Sequence, residues 1–168
     1  MGGYLRTTDV HRVILVRKEV VMSMNRHTQA DTVDSTRAQL VRGLALVVGA
    51  FFTVIGVAGF FVTGVDGFAE PTGETLLGFG VNPLHNAVHL VLGVAGLAMA
   101  WSLSAARAYG WVLAVGYGLV LVFGLVVDEG DSANILNINV ADNLLHAITV
   151  IVGLIIALLP VSRTAPRR

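Results

Sequence analysis

The chain has 168 residues and no cysteine, which excludes a disulfide framework, a thiolate metal centre and a cysteine nucleophile. It is 55% hydrophobic and 13% charged, against about 25% charged in ordinary soluble domains, so a soluble enzyme domain is a poor description of it. The formal net charge is zero, but that zero conceals a strong asymmetry along the chain.

Residues 1–40 are polar and of mixed charge. Val13 to Met22 is too short and too charged to cross a bilayer. A loose cytoplasmic segment is expected here. Met22 and Met24 are alternative starts, and residues 1–21 read as a mis-assigned upstream extension absent from the native protein. The interleaved acids argue against nucleic-acid binding, whereas the basic residues suit anionic lipid.

Four apolar stretches follow, each near the length of about 20 residues that spans a hydrocarbon core. They run roughly over 43–63, 83–103, 108–127 and 143–161, and none contains Lys, Arg or Glu. The mean hydropathy of +0.76 and the 19 glycines fit closely packed membrane helices. The first is not a cleavable signal peptide, since it lies far inside the chain without a small-residue cleavage site. The expected architecture is therefore all-α and polytopic, with four transmembrane helices over 41–161 and a basic tail over 162–168.

The charges orient this bundle. Seven of the 11 Lys and Arg residues precede or open the first span: Arg6, Arg12, Arg17, Lys18, Arg26, Arg37 and Arg42. Arg107 falls in the link between the second and third spans, and Arg163, Arg167 and Arg168 lie in the tail. The other two loops carry only acids: Asp66, Glu70, Glu74, Asp128, Glu129 and Asp131. The positive-inside rule then expects a bacterial inner-membrane protein with both termini cytoplasmic and two acidic loops outside. Trp101, Tyr109 and Trp111 near the Arg107 link fit an interfacial aromatic belt.

The second and fourth spans repeat a pattern. Asn82, Asn86, His89, Gly96 and Ala100 meet Asn139, Asn143, His146, Gly153 and Ala157 at a constant spacing of 57. The first and third spans agree more weakly, through Gly43 with Gly110 and Gly49 with Gly116. Two similar helical hairpins related by an axis along the membrane normal are expected. On each repeated helix the polar and small residues share one face, polar at the outer end and small toward the cytoplasm. Gly96, Ala100, Gly153 and Ala157 suit close helix packing.

The polar cluster supports several readings. Asn82 before Pro83, and Asn139 before Asp142, are helix caps; with Asn86 and Asn143 they form a structural polar cluster in a protein of structural, accessory or sensing role and no cofactor. His85, His89, Asp142 and His146 form two i, i+4 pairs, a donor set for Zn²⁺ or another divalent ion, with the asparagines behind them. His89 and His146 also suit the axial positions of a b-type haem. A small transporter or channel subunit is a further reading, against which the inner helix halves carry no ionisable residue. No phosphate-binding loop or nucleophile motif is present, so an enzyme is not expected. The partners expected are the lipid bilayer and a second copy or another membrane protein.

The stretches "VNPLHNAVHLVLGVAGL" and "DNLLHAITVIVGL" resemble the two signature segments of a small bacterial four-helix membrane family, the DUF4383 family. The resemblance covers about 42–159 and implies an integral membrane protein of unassigned activity. It carries over no catalytic residue.

Overall fold

The computed structural model describes residues 7–161, leaving aside the side chains of residues 7–10 and 13. Arg6 and the basic tail with Arg163, Arg167 and Arg168 lie outside the described residues. The elements in chain order are α1 (Thr7–Thr63), β1 (Thr75–Leu76), β2 (Phe79–Gly80), α2 (Pro83–Met99), α3 (Leu103–Val126) and α4 (Val140–Leu158). The chain divides into two compact units, one built on residues up to 37 and the other on Ala38–Pro160.

The loose segment expected over residues 1–40 is helical from Thr7 onward, and α1 continues unbroken to Thr63. No glycine or proline interrupts Thr7–Arg42, so nothing in the sequence breaks the backbone ladder. The side chains also close their own local bonds. The hydroxyls of Thr28, Thr32 and Thr36 donate to the carbonyls of Met24, Thr28 and Thr32 at 3.0, 2.8 and 2.9 Å. Arg37 approaches Asp34 one turn earlier at 4.0 Å.

Three helices are long and apolar enough to cross a membrane: α1, α3 and α4. The shorter α2, of 17 residues, is apolar too. It ends at Met99 rather than near Leu103, because Ser102 leaves the helix to cap α3, accepting from the Ala105 amide at 3.2 Å. Arg107, expected in a link, is consequently inside the first turns of α3.

Each helix of the second unit buries one stripe. On α1 it is Val41, Ala45, Gly49, Phe52 and Gly59, at the i, i+3, i+4 spacing of a single helix face. On α3 it is Ala106, Tyr109, Leu113 and Tyr117; Phe52 and Tyr117 stack at 5.2 Å with 13° between their rings. Outward positions are large and apolar, such as Val47, Val54, Leu119 and Ile151, as lipid-facing positions would be.

Glycines set the closest approaches. A Cβ on Gly49 would lie 2.6 Å from the Leu97 amide of α2, and one on Gly96 would lie 2.8 Å from the Gly49 Cα. A Cβ on Gly153 would lie 2.7 Å from the Ala114 amide of α3, and one on Gly110 would lie 2.7 Å from the Gly153 carbonyl. Gly43 and Gly116 meet nothing within 4 Å, so the sequence pairings Gly43 with Gly110 and Gly49 with Gly116 do not join residues in like surroundings. Two arginines bind the C-terminal ends of neighbouring helices. Arg42 donates to the Ala100 carbonyl after α2 at 3.0 Å, and Arg107 donates to the Leu159 carbonyl after α4 at 2.6 Å.

The α1–α2 connection contains a small hairpin that the sequence did not announce. β1 and β2 pair antiparallel with Thr75 opposite Gly80, and the turn places Leu77 at φ 56° and Gly78 at φ 89°. This is the left-handed geometry of a tight two-residue hairpin.

Candidate metal centre

The polar residues of the sequence repeat lie together at one end of the second unit, but they do different work. Asn82 caps α2 by accepting from the His85 amide at 2.9 Å, with Pro83 in the first helical position. Its side-chain amide donates to the Ile135 carbonyl at 2.7 Å and the Glu70 carbonyl at 3.2 Å. One side chain thus starts a helix and ties it to both long loops.

At α4 the cap is reciprocal. Asn139 accepts from the Asp142 amide at 3.1 Å, and Asp142 Oδ2 accepts from the Asn139 amide at 3.0 Å. The same Oδ2 accepts from the Gly80 amide at 2.9 Å, fastening β2 to α4. Asn86 and Asn143 sit one turn deeper. Asn86 donates to the Thr63 hydroxyl at 2.9 Å, and Asn143 donates to the Gly124 carbonyl at 2.8 Å. Gly59 and Gly124 are bare where these two amides pass, and a Cβ on either would collide with the asparagine side chain.

The histidines face inward, away from this lattice of caps. His85 and His89 leave α2 one turn apart, with ring centroids 4.4 Å apart, and His146 of α4 lies 6.0 Å from His85. All three are buried, at 3%, 2% and 1% exposure. One nitrogen from each can be chosen so that the three lie within 4.8 Å of one another. His89 stacks on Phe52 at 4.9 Å, and Tyr117 lies 5.2 Å from His146, so aromatic rings hold two of the imidazoles in place. The carbonyls of Gly80 and Leu136 attend the His85 ring from the loops.

The hydrogen-bond inventory of this trio is incomplete. Nδ1 of His85, both nitrogens of His89 and Nδ1 of His146 are buried without a partner among the described residues, and so is the Tyr117 hydroxyl. A neutral imidazole carries one donor and one acceptor, so His89 leaves both unmet within the chain. Each such group costs about 1–3 kcal/mol when buried. Beside the rings is a cavity of about 130 Å³, walled by Val88, Leu92, Val120 and Leu136 as well as by the histidines and Tyr117. Three imidazole nitrogens around a common ion at 2.0–2.1 Å sit roughly 3.3–3.5 Å apart, so closure from the present spacing needs ring movements of about 1 Å or less.

Of the four ligands read from the sequence, His85, His89 and His146 come together and Asp142 does not join them. Its Oδ2 is held by the two backbone amides, while its Oδ1 has no protein partner. Gly96, Ala100, Gly153 and Ala157 are buried at the helix contacts. Phe52 and Tyr117 are additions that the sequence reading passed over. A tyrosine midway along an apolar span is the signal that would have found the second.

The molecule is thus a small all-α protein with helices fit to cross a membrane and a buried three-histidine cluster near one end of them. Residues 42–159 match the family described as a domain of unknown function, DUF4383, and the chain belongs to that family. No curated protein and no solved structure matched the chain.

Proposed function

We propose that this is a polytopic membrane protein that binds one transition-metal ion through His85, His89 and His146. The observation that carries the reading is the convergence of three buried imidazoles, four of whose six nitrogens are buried without a partner among the described residues. A structural lock would satisfy those nitrogens with one another or with the asparagines. Instead the asparagines are engaged elsewhere, so capping belongs to Asn82, Asn139 and Asp142, and ligation to the histidines. The cavity of about 130 Å³ leaves little space for a macrocycle, which argues against haem. The role proposed is binding rather than catalysis, since Tyr117 is the only other polar side chain on the cavity wall among the described residues.

The membrane arrangement proposed is four crossings in a bacterial inner membrane, with α2 as the shortest, the caps at the outer face and the Arg42 and Arg107 ends cytoplasmic. Two similar hairpins are proposed, α1 with α2 and α3 with α4. The support is a set of like contacts at a constant spacing of 65 between α1 and α3. Arg42 and Arg107 each bind a helix end, Gly59 and Gly124 each receive an asparagine, and Phe52 and Tyr117 stack on each other. The stacked pair then lies on the pseudo-twofold axis, with His89 and His146 as equivalents beside it.

The test is elemental analysis of untagged protein purified in mild detergent. The expected result is one transition-metal ion per chain, lost in His89→Gln and His146→Gln variants that keep their helical circular dichroism. Metal-free wild-type protein that also fails to take up added Zn²⁺ or copper would reject the reading.

A further inference from the structure

We propose that the three-histidine centre selects a monovalent, three-coordinate ion, Cu(I), over Zn²⁺ and the other divalent ions. This deepens the metal-binding reading and rests on it.

The first argument is charge. Three imidazoles are neutral ligands, so the bound ion keeps its full charge. The cost of burying that charge rises with its square, so a dication costs roughly four times as much as a monocation. The acids that could balance a dication are elsewhere. Asp142 Oδ2 is committed to the Asn139 and Gly80 amides, and Asp142, although its Oδ1 has no partner among the described residues, is not among the grouped ligands and does not line the cavity. Glu70, Glu74 and Glu129 are exposed in the outer loops.

The second argument is coordination number. Zn²⁺ in proteins is almost always four-coordinate, and where only three protein ligands are present a water or hydroxide completes the set. Here the wall beyond the imidazoles is Val88, Leu92, Gly116, Val120 and Leu136, with Tyr117 as its one other polar side chain among the described residues. Apart from the single Tyr117 hydroxyl, such a wall offers no side-chain hydrogen bond to a polarised water or hydroxide, which needs two or more polar partners. A closed-shell monovalent copper ion accepts three ligands without a fourth, and imidazole is a good donor for copper.

On the cavity wall, Tyr117 is the group that could reverse this conclusion. Its hydroxyl is buried without a partner and lies on the same cavity. As a phenolate it would supply both the missing charge and the fourth position of a Zn²⁺ site. Replacing it therefore separates the alternatives. In Tyr117→Phe a Zn²⁺–phenolate site loses its anion, whereas a three-imidazole Cu(I) site loses nothing.

The experiment is an anaerobic competition titration of untagged, detergent-solubilised protein. Cu(I) is titrated against a colorimetric Cu(I) chelator, and Zn²⁺ against a fluorescent zinc chelator. The expected result is one Cu(I) per chain that excess Zn²⁺ does not displace. Tyr117→Phe should bind Cu(I) as wild type does, and His89→Gln should lose affinity by more than the roughly 10–100-fold typical of outer-shell substitutions. Displacement of Cu(I) by Zn²⁺, or a loss of metal affinity of tenfold or more in Tyr117→Phe, would overturn Cu(I) selection and leave the metal site standing. Binding of neither ion would overturn both.

Discussion

At the level of single residues, Asp142 and His146 show how neighbours divide labour. Both are buried on α4, one turn apart, yet the carboxylate closes onto its own helix start while the imidazole faces the other two histidines. Asp142→Ala should therefore lower the melting temperature and leave metal stoichiometry unchanged. Removing the acceptor of one buried and one part-buried amide costs about 1–3 kcal/mol. Thermal unfolding together with metal analysis of the variant checks this, and loss of metal in a folded Asp142→Ala protein would place the carboxylate in the site. The histidine trio was legible in the sequence, because i, i+4 spacing fixes His85 and His89 to one face and the repeat pattern adds His146. The exclusion of Asp142 was not legible. Whether a carboxylate three residues past a cap folds back or reaches across depends on what approaches it, and here Gly80 arrives from a distant hairpin.

At the level of the helices, small residues decide which faces meet. Gly153→Val should be severe, because its Cβ would press on the backbone of Gly110 and Ala114, which cannot move aside as a side chain can. Overpacking of this kind costs about 1–3 kcal/mol or more. Gly118→Ala is the control. Apart from the adjoining backbone of its own helix, no atom of the described residues lies within 4 Å of its added methyl, and exchange of glycine for alanine inside a helix favours the helix by up to about 1 kcal/mol. Comparing the two melting temperatures tests whether close contact, rather than glycine content, holds α3 to α4. The apolar stretches announced the helices well. Their ends were less legible, since Ser102 caps α3 where hydropathy alone carries the second span to Leu103. The N-terminal half of α1 was missed because its apolar residues follow no single face. Its helix relies on a backbone ladder that no glycine or proline interrupts, which a hydropathy reading does not register.

At the level of the whole molecule, the account orders the ends of the helices. In the proposed orientation the capped ends with their acidic loops face outward, and the Arg42 and Arg107 ends face the cytoplasm. The chain has no cysteine, so single cysteines give a clean test. Leu77→Cys in the exposed hairpin turn should react with a membrane-impermeant maleimide in intact cells, and Ser104→Cys near the start of α3 should react only after the cells are opened. The reverse pattern would invert the bundle.

The most direct test of the central claim is X-ray absorption at the K edge of the bound metal in untagged protein. The account predicts an ion surrounded by three imidazole nitrogens at about 2 Å, recognisable by the outer-shell scattering of their rings. Carboxylate oxygens in place of one or more imidazoles, or an ion with fewer than two imidazoles, would contradict it.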